Sequence, residues 1–259
     1  MSLLDNKVGY GISPSNHDIS PQRETNFFNQ YFPISMFPSA WYGGSYPTGK
    51  NDSSYQLFSA DDTDYVIIHL IYCPTTDVLQ WAKNVLQQNS NRQAIITIHG
   101  FLNIYGERNT HVPSGGCTAL INNTQYIWDE LIYPNENVFL VLSGHAHGEA
   151  MRTDPNIAGK PVYQLLANYQ TRQNGGDGWL RILKFSTDSI YVQTYSPYLD
   201  KYEKDFDSEF ILSSTPSDSK KTVVSVVIVL FLLIVVYFYV TRKGKKKLKN
   251  YYRKVLKLG

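Results

Sequence analysis

The sequence predicts an α/β domain followed by a C-terminal transmembrane helix, and two patterns support this fold class. First, short apolar runs at residues 65–72, 93–98 and from residue 138 surround an amphipathic segment at residues 76–88. This alternation is typical of a largely buried sheet with helices packed on it. Second, residues 223–240 of the 259-residue chain are apolar except for one serine.

Further elements complete a four-part organisation of the chain. A second helix is expected near residues 118–131, and residues 182–185 and 190–195 are expected to pair as a hairpin across a polar turn. The predicted parts are a folded domain over residues 1–212, a polar stalk over 213–221, a transmembrane helix over 222–241 and a basic tail over 242–259.

Four of the six histidines lie where a predicted strand ends. His99 follows one apolar run, His145 and His147 follow the next, and His17 follows a short strand-like stretch near the N-terminus. Strand ends are where open α/β sheets form their sites, and neutral imidazole is the commonest protein metal ligand. Side chains at i and i+2 of an extended segment point the same way, so His145 and His147 are expected to face one site.

The order of these motifs resembles that of the calcineurin-like metallophosphoesterases, which include purple acid phosphatases and acid sphingomyelinases. The matching motifs are Ser15-Asn16-His17-Asp18, Ile98-His99-Gly100 and Gly144-His145-Ala146-His147. Residues 161–170 and 175–185, and the tripeptide Tyr195-Ser196-Pro197, are also similar to the family. The resemblance covers about residues 8–212 and implies a partial sandwich of sheets flanked by helices.

The resemblance also implies a role for each motif residue. Asn16, His99 and His145 would bind one metal ion, and His147 would bind a second. His17 would face the scissile ester and stabilise or protonate the leaving oxygen, and Asp18 would orient His17. Two metal ions about 4 Å apart clamp phosphate oxygens and activate water. Mixed nitrogen and oxygen ligands suit zinc, manganese or iron.

The sequence departs from the family pattern in its first part. The Asp-x-His and Gly-Asp motifs, which supply the bridging aspartate, do not precede Asn16, and Ser15 stands where the family has glycine. This chain alone is therefore expected to hold at most one metal ion. We expect either an upstream segment that the sequence omits or another chain that completes the half-fold.

Two functions from different classes follow. The first is a membrane-anchored, metal-dependent phosphoesterase that acts on a phosphate mono- or diester. The second is a catalytically inactive, membrane-anchored binding protein that keeps the scaffold. No P-loop motif and no serine-centred triad motif occur in the sequence, so neither P-loop nucleotide binding nor serine-based hydrolysis is supported.

The C-terminal pattern predicts a single-pass membrane protein. A helix over residues 223–240 would span about 27 Å, which matches the hydrocarbon core of a bilayer. The following segment carries nine Lys or Arg and no acid, whereas residues 1–240 have a net charge of −7. Such a cluster marks the cytoplasmic side and attracts anionic lipid. Its position directly after the span argues against a nucleic-acid partner.

The domain would then face the lumen or the cell exterior. In that location, the sequons that begin at Asn51 and Asn122 would be usable for glycosylation. Cys73 and Cys117 could pair in an oxidising compartment.

Three further residues are expected to have structural roles. His69 lies inside an apolar run and is predicted to be a core histidine rather than a ligand. His111 lies in a Gly/Pro-rich loop and is predicted to be exposed, with substrate contact as the alternative. Asp177, between two glycines, is predicted to be a turn residue.

Overall fold

The computed structural model describes residue 4 and residues 7–37, 40–60, 62–108, 123–186 and 188–213. Its helices are α1 (Asn26–Tyr31), α2 (Thr76–Gln88), α3 (Thr124–Ile127) and α4 (Gln173–Gly176), with a 3-10 turn at Ile34–Met36 and a π-helical turn at Trp128–Ile132. Its strands are β1 (Tyr42–Tyr46), β2 (Ser53–Ala60), β3 (Thr63–Leu70), β4 (Gln93–Ile98), β5 (Val138–Ser143), β6 (Gly148–Pro155), β7 (Pro161–Asn168), β8 (Leu180–Phe185), β9 (Ser189–Ser196), β10 (Lys201–Glu203) and β11 (Glu209–Ser213).

The strands form two sheets. The larger sheet has seven strands in the order β1-β2-β3-β4-β5-β7-β6. Its central strands β3, β4, β5 and β7 are parallel, whereas β1, β2 and β6 join antiparallel at the two sides. In the smaller sheet, β9 pairs antiparallel with β8, β10 and β11.

Strand β4 explains how the layers are stacked. Its residues Ala94, Ile96 and Ile98 belong to the core that α2 and the π-helical turn cover, whereas Ile95 belongs to a second core shared with β9 and β11. The larger sheet is therefore buried on both faces, by helices on one side and by the smaller sheet on the other. This is why its central strands are continuous apolar runs in the sequence.

Helix α2 is the clearest example of local sequence determining structure. Its buried residues recur at helical spacing, and Asp77 in the first turn complements the helix dipole. The buried residues are Val78, Leu79, Ala82, Val85 and Leu86. One apolar face thus packs on the sheet, while the opposite face remains polar.

The predicted fold class is wrong in its last element. The α/β part is compatible with the structure, but no helix in the described part of the chain is long and apolar enough to cross a membrane. The longest described helix, α2, has 13 residues, whereas a span needs about 20. The segment predicted to cross, residues 222–241, lies outside the described residues, as do the basic tail and all but the first residue of the stalk.

The individual element predictions are confirmed most closely in the core. The bounds of α2 and β4 are as predicted, and β8 and β9 form the predicted hairpin. The helix expected at residues 118–131 is described only from residue 124 and continues as a π-helical turn. No strand was predicted at β1, β2 or β6.

The prediction that His69 is a core histidine is confirmed. Its ring is buried, and Nδ1 lies 2.7 Å from Oγ1 of Thr97, which lies 3.1 Å from Oγ of Ser13. Burial lowers the pKa of His69 to about 4. Gly11 covers the other side of the ring, because a Cβ at this position would lie 1.9 Å from Nε2 of His69. The N-terminal segment is thereby packed against β3 and β4.

A buried charge cluster joins the two sheets. Glu149 on β6 accepts hydrogen bonds from Arg181 on β8, from Arg172 and from the Tyr169 hydroxyl. The side chains of Glu149 and Arg181 are 4% and 7% exposed, so this ion pair is largely removed from water. Arg172 extends the cluster to Glu203 on β10.

We expect His69 to make the domain less stable in acid. Its folded-state pKa lies below the unfolded value of about 6.5, so the unfolded chain binds the extra proton and stability falls as pH drops from about 6.5 to 4. Between pH 7.5 and 4.5, urea unfolding should show that the wild type loses about 2–3 kcal/mol more than His69→Asn, which can keep the Thr97 contact; His99 and His145 contribute equally to the loss in both proteins. Equal losses in both proteins would contradict this assignment.

We expect Glu149→Gln to destabilise the domain by about 3–5 kcal/mol, because two arginines lose their buried counter-charge. The matched control is Glu136→Gln, which removes a carboxylate that lies 3.7 Å from Lys160 and is 63% exposed. This control should cost less than about 0.5 kcal/mol. Denaturant unfolding measures both values, and similar values for the two variants would rule out a structural role for the cluster.

Candidate metal site

Two of the predicted ligands stand at the ends of neighbouring parallel strands. His99 directly follows β4, and His145 follows β5 after Gly144. Ile98 pairs with Ser143, so the two strands end side by side. The Gly144 N–H donates to the His99 carbonyl at 2.9 Å, which continues the pairing to the histidines themselves.

The third ligand comes from the N-terminal segment. The Tyr72 N–H, just after β3, donates to the Pro14 carbonyl at 3.1 Å. The contact between Ser13 and Thr97 holds the same segment to β4. Together these contacts bring Asn16 to the edge where β3, β4 and β5 end.

The three side chains converge on one point. His99 Nε2 lies 2.8 Å from Asn16 Oδ1 and 3.1 Å from His145 Nδ1, and the two imidazole rings are nearly perpendicular at 73°. A neutral His99 Nε2 carries at most one proton, so it cannot donate a good hydrogen bond to both neighbours. Two imidazole nitrogens and an amide oxygen that face each other fit zinc, manganese or iron.

The electrostatics of the site keep the histidines neutral. The pKa of His99 is lowered to about 4, mainly by burial and in part by the charges of His145 and His17, while Asp18 opposes the shift. Burial also lowers the pKa of His145, with smaller contributions in the same direction from His147 and His17. Neutral imidazoles keep a lone pair for metal binding, which protonation would remove.

His145 is held in an unusual backbone conformation. Its φ of +64° lies in the left-handed region, which costs free energy for a residue other than glycine. The Asn168 amide donates to the His145 carbonyl at 3.0 Å and stabilises this turn. Gly100 allows the rings to approach, because a Cβ there would lie 3.1 Å from the Tyr72 ring and 3.5 Å from His145 Cβ.

His147 does not join the three converging side chains. Its ring is exposed, and Nε2 lies 2.7 Å from the Gln170 amide nitrogen, which donates to it. The structure thus brings together three of the four predicted metal ligands.

His17 and Asp18 lie beside Asn16 on an exposed turn. The Asp18 carboxylate accepts from the Ser15 N–H at 2.7 Å and from the Ser15 hydroxyl at 2.6 Å. The carboxylate that was expected to orient His17 therefore closes the turn through Ser15. The Ser15 hydroxyl also accepts from the His17 N–H at 3.2 Å, so this serine organises the turn from which His17 projects.

Within the described residues, the His, Cys, Asp and Glu side chains form no group of three that could hold a metal ion without other residue types. The candidate centre consists of two such residues and the Asn16 amide. A metal ion there would need further ligands from water, substrate or residues beyond these three. Asparagine is an accepted oxygen ligand, so the convergence of its amide oxygen with two imidazole nitrogens supports a candidate centre of mixed donors.

Six other predicted residues have different outcomes. Asp177 is confirmed as a turn residue, with φ of +42° and a hydrogen bond from Asn174 at 2.8 Å. Asn51 is 1% exposed and donates to the Phe32 carbonyl, so its sequon is inaccessible in the folded domain. Cys73 is disulfide-bonded. His111 lies outside the described residues, and so do Cys117 and Asn122.

Comparisons with known proteins place the chain beside one bacterial protein. No family model matches the sequence. The chain is 36% identical over 230 residues to Uncharacterized protein YvnB of Bacillus subtilis (strain 168). This similarity covers 82% of the chain and 17% of YvnB, so the chain spans less than a fifth of that relative's length. Neither finding names the metallophosphoesterase family, which stays a resemblance of motifs.

We expect the purified chain to bind one Zn²⁺ or Co²⁺ ion at this centre. His99→Ala and His145→Ala should each weaken binding at least tenfold, because each removes a direct ligand. His17→Ala is the matched control and should bind as the wild type does. Titration calorimetry measures the affinity, and the visible spectrum of bound Co²⁺ reports its coordination. Unchanged affinity in both ligand variants would exclude the site.

Proposed function

We propose that this domain belongs to a metal-dependent phosphoesterase that hydrolyses a phosphate mono- or diester. The observation that carries the proposal is the meeting of Asn16 Oδ1, His99 Nε2 and His145 Nδ1 at the carboxyl ends of adjacent parallel strands. Side chains at this edge of a sheet are placed by the most rigid part of the fold, which favours a preorganised site.

A metal ion held by these three residues would supply positive charge to a phosphate oxygen and lower the pKa of a water molecule. This chain also supplies a group that can act on the ester itself. His17 follows Asn16 directly, and its charge acts on the pKa of both His99 and His145. We assign to His17 the transfer of its ring proton to the ester oxygen as the alcohol leaves.

The proposal requires ligands beyond those of this sequence if a second metal ion takes part. His147 is exposed beside the site and offers one ligand. The sequence has no Asp-x-His motif, and the family-type bridging aspartate would have to come from residues outside it.

A binding protein is the second candidate function, and the missing Asp-x-His motif favours it. Such a protein would keep the single centre at Asn16, His99 and His145 and would recognise a phosphate-containing partner without cleaving it.

We also propose that the domain faces an oxidising compartment, either the lumen or the cell exterior. The disulfide bond of Cys73 is the supporting observation, because structural disulfides are rare in the reducing cytosol.

We expect metal-loaded protein to hydrolyse p-nitrophenyl phosphate or bis(p-nitrophenyl) phosphate. His17→Ala should lower kcat by roughly 10²–10⁴-fold, which is the usual contribution of a positioned acid or base, while bound metal stays constant. The assay applies to this chain and to any longer native product that contains it. Tyr198→Ala is a control, since this exposed residue is not among those assigned to the site.

Hydrolysis that is lost in His99→Ala and reduced in His17→Ala supports the proposal that the domain is a metal-dependent phosphoesterase. If the longest native product binds metal and cleaves neither ester, the enzyme proposal fails and the binding protein replaces it.

A further inference from the structure

A cavity of about 310 Å³ adjoins the candidate site. His17 and Asp18, which follow the candidate ligand Asn16 in sequence, line this cavity together with residues of α1. Since we assign to His17 the proton transfer to the leaving oxygen, the cavity is placed to receive the alcohol part of an ester.

The α1 wall of the cavity is aromatic. Phe28 is buried, and its ring packs against that of Phe32 with centroids 5.5 Å apart. Phe27 and Tyr31 are 75% and 65% exposed and lie four residues apart, on the same side of the helix. Both residues line the cavity and are largely exposed, so their rings are accessible for stacking on a planar ligand.

The polar groups of the cavity are an amide and carboxylates. The Asn26 amide nitrogen lies 3.4 Å from a Glu24 carboxylate oxygen, and both side chains belong to exposed residues. Asp18 adds a second carboxylate, and no Lys or Arg is among the residues that line the cavity. The carboxylates disfavour a phosphate group inside the cavity, so the phosphate is expected on the histidine side.

We propose that this cavity binds the base of a nucleoside, with preference for a base that carries an exocyclic amino group. Aromatic side chains stack on base faces, a carboxylate accepts from the amino group of cytosine, and an asparagine amide pairs with adenine. The cavity volume of about 310 Å³ lies at the lower end of the range for small-molecule sites, and this size suits a nucleoside better than a lipid with two acyl chains. The link to phosphate chemistry rests on the proposed function, whereas base binding does not.

The test is direct binding of adenosine, cytidine and uridine to the metal-free chain, measured by saturation-transfer NMR and calorimetry. Phe27→Ala and Tyr31→Ala should each weaken adenosine binding roughly tenfold, in line with the loss of one stacking partner. The matched control is Phe206→Ala, because Phe206 is an aromatic residue of similar exposure (79%) that does not line the cavity. Both cavity residues are exposed, and circular dichroism will confirm that the variants fold.

Glu24→Gln tests the base preference separately. Wild-type protein should bind adenosine and cytidine more tightly than uridine, and Glu24→Gln should reduce this difference at least threefold. Choline chloride serves as a competing ligand class, since aromatic rings and carboxylates also bind quaternary ammonium groups.

Nucleoside binding that depends on Phe27 and Tyr31 supports the inference. It is overturned if no nucleoside binds, if binding is the same in both variants, or if choline binds in preference. Because these measurements need neither metal nor hydrolysis, nucleoside binding together with a longest native product that binds metal and cleaves neither ester would overturn the proposed function alone. Esterase activity without nucleoside binding would overturn the cavity assignment alone.

Discussion

The parallel pairing of β4 with β5 is the constraint on which the rest of the structure depends. Both strands are buried on two faces, so their positions are set by helices on one side and by the smaller sheet on the other. Their common end places His99 and His145 in contact, and the Gly144-to-His99 hydrogen bond extends the ladder into the site. A shift of one strand along the other would separate the two imidazoles and would also displace the side chains that β4 and β5 contribute to both cores.

The molecule buries polar groups in two different ways. At the candidate site, burial lowers the pKa values of His99 and His145, so both imidazoles are neutral near pH 7. Between the sheets, Glu149 is surrounded by arginines and a tyrosine hydroxyl, so its charge is compensated. Neutral imidazoles keep lone pairs that a metal ion can use, whereas the charge cluster joins two parts of the fold. This contrast is the reason for treating the histidine cluster as the candidate site.

The sequence predicts the central part of this arrangement and fails at its margins for physical reasons. Apolar runs locate β4 and α2 because burial on both faces of a sheet, or on one face of a helix, leaves a clear pattern. Strands β1 and β6 contain polar and glycine residues at partly exposed sheet sides, where the pattern disappears. His147 was expected beside His145 from the alternation of an extended segment, but the left-handed φ of His145 breaks that alternation.

The turn at residues 15–18 finally bears on which function the site performs. A binding protein needs only the metal ligand Asn16 from this turn, and the exposed ring of His17 would then have no assigned role. Yet Ser15 stabilises the turn through hydrogen bonds with the Asp18 carboxylate and the His17 backbone N–H. His17 and Asp18 also line the cavity beside α1. An exposed imidazole that follows a candidate metal ligand and lines a cavity of ligand size suits proton transfer to a bound ester better than it suits recognition alone. The position of His17 therefore favours the esterase over the binding protein.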